Sequence, residues 1–208
     1  MGTIKTTNIE TITGSGTLTL GQSGETVSIP TNTTLGASGT TITVPSGCTI
    51  TNNGTQTGFG GVMTPAFLAN IDPQQSVSNN TVTKAQMALE IIDTDGCYDN
   101  STNYRFTTTT AGKYFVFCSI QAGTTVADTV RYAKLMLYKN NNTYQSSVFD
   151  SPDSTPDSKI ILNISTIVDM NGSSDNVEVY GQIDVSSGTP RFEEGDKSSI
   201  FGAYKIIE

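Results

Sequence analysis

The chain has 208 residues, with 19 acidic against 11 basic side chains, no histidine and a formal net charge of −8. Phosphate binding needs clustered lysine and arginine, so this balance argues against a nucleic-acid partner. Without histidine the usual general base and a common zinc ligand are missing; only three scattered cysteines remain, and the chemistry reads as non-enzymatic, with no catalytic and no cofactor-binding residues.

The N-terminus, Met1-Gly-Thr-Ile-Lys-Thr-Thr-Asn8, lacks the apolar core of a secretion signal. No later stretch approaches the roughly 20 apolar residues of a membrane helix. The expectation is synthesis in a cytoplasm, without cleaved export or membrane insertion. Met1-Gly2 with Thr6 satisfies a loose myristoylation pattern that arises often by chance.

A repeat follows. Gly21-Gln-Ser-Gly-Glu-Thr-Val-Ser-Ile-Pro30 returns as Gly36-Ala-Ser-Gly-Thr-Thr-Ile-Thr-Val-Pro45. Its apolar positions alternate: Leu18 and Leu20, Val27 and Ile29, Ile42 and Val44, Cys48 and Ile50. Period two between glycines and prolines predicts short strands, each with one apolar face. So few side chains of Val and Ile size cannot close a core within one chain, since ordering each residue costs about 1–2 kcal/mol of backbone entropy. Repeats that cannot bury a face alone stack or intertwine. An interwoven stalk of identical chains is favoured over a flexible tether.

Composition breaks near Gly60-Gly61. Residues 1–61 hold 18 threonines, one aromatic (Phe59) and three charges (Lys5, Glu10, Glu25). The remaining 147 residues hold 15 aromatics and 27 charges. The chain therefore divides into a docking segment and stalk, 1–61, and a head, 62–208, long enough for its own core. Two isolated stalk carboxylates argue against a polysaccharide-cleaving spike, which needs a placed pair.

In the head, strands are predicted near Ala88–Ile92, Tyr104–Thr108, Gly112–Ala122, Ala133–Tyr138, Ile160–Asp169, Asn176–Val185 and Ser199–Ile207. Asp95-Gly96, Asn140-Asn-Asn142, Pro152, Pro156, Asn171-Gly172 and Gly188 mark turns. Thr83–Leu89 alone has helical character. Many strands with short polar connections predict an antiparallel β-sandwich or jelly roll. Within Gly112–Ala122, Tyr114 and Val116 must point one way, Phe115 and Phe117 the other, so both faces need cover.

Cys118 lies in an apolar strand pattern and reads as a core residue; Cys97 falls in a polar turn and Cys48 in the stalk. Asp93-Thr-Asp-Gly96 starts like a calcium loop but lacks the later carboxylate, and reads as a structural turn. Asp150, Asp153 and Asp157 form an acidic loop, read as solvated, with Ca²⁺ as the alternative occupant. Glu193, Glu194 and Asp196 around Gly195 read as an exposed turn. Sequons such as Asn79-Asn-Thr81 and Asn163-Ile-Ser165 mean little without a secretory route.

The order of motifs is specific. Ala66-Phe-Leu-Ala69 opens the head, Tyr104-Arg-Phe106 follows, then Ala111-Gly-Lys-Tyr-Phe-Val-Phe117, Leu135-Met-Leu-Tyr-Lys-Asn140 and Ser198-Ser-Ile-Phe-Gly-Ala-Tyr204. This resembles the C1q/TNF-like jelly roll across roughly residues 64–208. The family often carries a Gly-Asp pair near its end; here Gly172-Ser-Ser-Asp175 stands in its place. The resemblance implies a homotrimeric head.

The N-terminal segment and its Gly/Ser/Thr repeats are similar to the N-terminal parts of structural proteins of marine tailed bacteriophages. Together the two resemblances imply a homotrimeric virion fibre or spike. About residues 1–20 would dock onto other virion proteins, and the head would meet a host-surface polysaccharide or protein. A capsid decoration or head-fibre protein that stabilises the shell, and a secreted C1q/TNF-like ligand, are the alternatives.

Overall fold

A computed structural model describes residues 63–151, 157–194 and 198–206, with isolated positions between 41 and 51. The N-terminal docking segment, most of the repeat, Phe59, Asp153 and Asp196 lie outside the described residues.

Thirteen strands occur in the described head: β1 Ala66–Asn70, β2 Gln75–Ser76, β3 Thr83–Lys84, β4 Leu89–Asp93, β5 Tyr98–Asp99, β6 Arg105–Thr107, β7 Gly112–Thr124, β8 Val130–Lys139, β9 Asn142–Asp150, β10 Lys159–Met170, β11 Asn176–Val185, β12 Pro190–Phe192 and β13 Ile200–Lys205. They form two antiparallel sheets. The first runs β2-β12-β7-β13-β1-β4, with β10 on the other edge of β7; the second runs β5-β6-β11-β8-β9, with β3 on β11. The head is an antiparallel jelly-roll sandwich, as its strand pattern predicts.

Alternation decides what lies between the sheets. Tyr114, Val116, Cys118, Ile120 and Ala122 of β7 are buried, as are Ala133, Leu135 and Leu137 of β8 and Val177, Val179 and Ile183 of β11. At one end the core is aromatic: Phe67 stacks on Tyr98 at 4.6 Å and on Phe106 at 5.0 Å, and meets Phe201 edge-on at 4.8 Å. The buried hydroxyls are satisfied. Tyr114 donates to the Thr110 carbonyl at 2.8 Å, and Tyr98 to that of Met87 at 3.1 Å.

Two segments differ from the sequence expectation. Thr83–Leu89 is extended, because β3 pairs with β11 and the Ala85 amide donates to Val179. Tertiary pairing overrides the local helical character. β9 is a full strand that periodicity misses: it is an edge strand, largely exposed, and its few apolar residues, Tyr144, Val148 and Phe149, do not share one side.

A buried ion pair ties the β2–β3 segment to the second sheet. Glu178 on β11 is almost wholly buried, and Lys84 on β3 meets it at 2.6 Å. The Tyr180 hydroxyl donates to the other carboxylate oxygen at 3.1 Å, and Tyr138 stacks on Tyr180 at 4.3 Å. Burial lowers the Lys84 pKa, but its bond and charge contact with Glu178 outweigh this, and the net shift is upward. Removing the lysine leaves a buried carboxylate without its cation, held among the described residues only by the Tyr180 hydroxyl. Lys84→Met is expected to destabilise the head by about 3 kcal/mol in urea unfolding, whereas Lys84→Met with Glu178→Leu should recover most of the loss.

Candidate self-association face

The candidate site is the outer face of the first sheet, and β7 builds it. Its inward side chains are spent on the core, so Phe115, Phe117, Ser119 and Gln121 project outward, as the sequence predicts for Phe115 and Phe117. Ladder register then sets the neighbours. Ile167 and Tyr204 flank Phe115, Ser165 and Gly202 flank Phe117, Asn163 and Ile200 flank Ser119, and Ile161 lies beside Gln121. Beyond β13, Leu68 lies beside Gly202 and Ile92 beside Leu68.

The aromatic rings form a continuous group. Phe115 lies 5.5 Å from Tyr204 and 6.1 Å from Phe117. Phe117 lies over Gly202, where any Cβ would overlap its ring. That glycine leaves room for the far end of the ring. Around this centre Ile161 is 50% exposed, Ile167 51% and Ile92 49%, with Leu89 and Ile91 also open on β4. Round the β10 edge, Tyr144 and Val148 of β9 continue the apolar strip, and the Tyr144 hydroxyl donates to the Ile167 carbonyl at 2.8 Å. Contiguous exposed apolar surface of this kind marks interaction sites on soluble proteins.

Charge is confined to the margins. Lys113 and Asp169 pair in register at one end, and Lys159, Arg191 and Glu193 cluster at the other. Glu193 corrects the expectation of an exposed turn. Its side chain is buried, 2.8 Å from Arg191 and 3.4 Å from Lys159, over the space left by Gly123. Glu194 is exposed and accepts the Gln74 amide at 2.8 Å.

The other singled-out residues stand apart from this face. Asp93 is a structural turn: its carboxylate accepts the amides of Asp95, Cys97 and Tyr98 and the Cys97 thiol. Cys97 is therefore buried and not part of an open polar turn. Burial, followed by its contact with Asp93, pushes its thiol pKa up. Cys118 is a core residue, and burial pushes it up to about 12; both thiols are unreactive in this state. Cys48 is exposed. Asp150 ends β9, and Asp157 pairs through its backbone with Val130. Among the described residues no three potential metal-ligating side chains cluster.

No protein-family profile matches the chain, and no curated protein does. Among solved structures, Eiger TNF from S. frugiperda is similar over 68% of this chain and 91% of its own, at 14% identity and a TM-score of 0.49. Murine APRIL, from a crystal structure at pH 5.0, is similar over 68% of this chain and 98% of its own, at 9% identity and a TM-score of 0.49. Neither transfers a site residue or a partner to this chain.

Three carboxylates that hold loops give the head an acid limit. The Thr102 amide, the Asn103 side chain and the Ser101 amide hold Asp99 far below the usual range, and Asn140 and Lys139 lower Asp175. Burial raises Asp93, but its four hydrogen bonds outweigh this and the net shift is downward. A depressed folded-state pKa contributes stability above the unfolded value of about 4, lost as pH falls toward the folded value. Urea midpoints should stay level from neutrality to about pH 5 and fall below about pH 4. Asp99→Ala should be less stable at neutral pH and show a shallower acid fall.

Proposed function

We propose that this chain is a non-enzymatic structural subunit, three copies of which form a fibre or spike of a bacteriophage virion. The carrying observation is the apolar, charge-free centre of the outer face, with Phe115, Phe117 and Tyr204 half-buried and Ile161 and Ile167 open. A sheet already packed on one side needs no such surface unless something covers it. The repeat at 21–45 independently calls for identical chains, because no single copy supplies the missing faces.

Three-fold closure requires a heterologous contact, in which two different surfaces of each copy meet. The two flanks of the face provide them: the β10 edge with Ile161 and Ile167, and the β4 edge with Leu89, Ile91 and Ile92. The resemblance to C1q/TNF-like heads supports three copies over another number. The resemblance of the N-terminus to phage structural proteins supports virion docking through about residues 1–20. A stalked trimer presents three heads at once, which raises avidity for a host-surface polysaccharide or protein without any new contact.

The full chain is expected to have the mass of three copies in solution at micromolar concentration. Phe117→Ser should leave the head folded and move the equilibrium toward single chains, weakening association by about tenfold or more. A chain lacking residues 1–20 should still form trimers but fail to enter particles. A monomeric full chain would overturn the trimer, and normal incorporation of the truncated chain would overturn the docking assignment.

A further inference from the structure

Asn163 is a polar side chain on the charge-free part of the face, between Ile161 and Ser165 on β10. It lies on β10 two residues from Ile161, on the same side of the strand as Ile167, and is exposed. Its cross-strand neighbour, Ser119, is buried and donates its hydroxyl to the Ser198 carbonyl at 2.6 Å. The Asn163 side chain makes no hydrogen bond to Ser119 and finds no hydrogen-bond partner among the described residues. In a free head this is harmless, because water satisfies the amide. Once the face is covered, an unpaired amide would lose its water and oppose association.

We propose that Asn163 hydrogen-bonds across the interface to a neighbouring copy and fixes the number of copies that close; this rests on the proposed self-association. A copy of the same chain fits because the register rows from Phe115 to Gln121 carry no charged side chain on β7, β10 or β13. Two molecules each of net charge −8 can therefore meet there without opposing like charges. The amide suits a rotational assembly because it both donates and accepts. The same residue on copies related by rotation can complete a closed cycle of bonds. In coiled coils a single buried asparagine fixes partner number and register at some loss of stability, and a paired amide within a sheet interface can act in the same way.

The test is native mass spectrometry and a sedimentation dilution series on the full chain, with circular dichroism melting to confirm the fold. The wild type should give one oligomeric mass. Asn163→Leu removes the pairing requirement at an exposed strand position. It should dissociate at about tenfold lower concentration, yet populate more than one stoichiometry. Asn163→Asp places a carboxylate from every copy in the contact and should dissociate at about tenfold higher concentration. If Asn163→Leu keeps the single mass and the dissociation midpoint of wild type, Asn163 faces solvent in the assembly and its role is overturned. An unaltered midpoint for Asn163→Asp has the same meaning. A monomeric wild type overturns the self-association itself, so the two failures are distinct.

Discussion

The structure depends on one strand that is apolar on both sides over four residues, Tyr114 to Phe117. β7 crosses the middle of the first sheet, paired with β10 along one edge and with β12 and β13 along the other. Tyr114, Val116 and Ile120 commit one side to the core, which the second sheet covers. Phe115 and Phe117 commit the other side to a surface that nothing among the described residues covers fully. A strand in an ordinary two-layer sandwich alternates apolar with polar; this one does not. The excess accounts for the ring over Gly202, and on β10 it is flanked by two open isoleucines, Ile161 and Ile167. It also gives the head a reason to be multiple.

Burial of charge follows the same frame. Glu178 and Glu193 are both carboxylates taken out of water on a sheet surface, and each is held by a cation brought from another strand. These pairs fix geometry more than they add stability, since desolvation offsets most of the attraction. One fastens the β2–β3 segment to the second sheet. The other closes the polar margin of the outer face, next to the apolar centre. The face thus has a defined end, which a uniformly greasy surface would lack.

Much of this was legible in the residues. Asn176–Val185 is a strand with the bounds its alternation indicates, and the split of Tyr114 and Val116 from Phe115 and Phe117 follows from period two alone. Other features required the third dimension. β9 is an exposed edge whose apolar residues, Tyr144, Val148 and Phe149, fall on both sides, so only its partner β8 reveals it. Glu193 looks like part of an acidic turn until Gly123, seventy positions earlier, is seen to leave room for its side chain. Gly202 shows the same limit: a glycine in a strand signals close approach, but the sequence does not say that Phe117 is what approaches.

The proposed assembly turns on whether copies of the chain cover the outer face of the first sheet. Hydroxyl-radical footprinting of the intact protein at high and low concentration tests it directly, read at Phe115, Phe117 and Tyr204. These rings should be protected at high concentration and oxidised on dilution, while Tyr138 and Tyr180 on the opposite sheet are unchanged. Equal oxidation of Phe115, Phe117 and Tyr204 at both concentrations would contradict it.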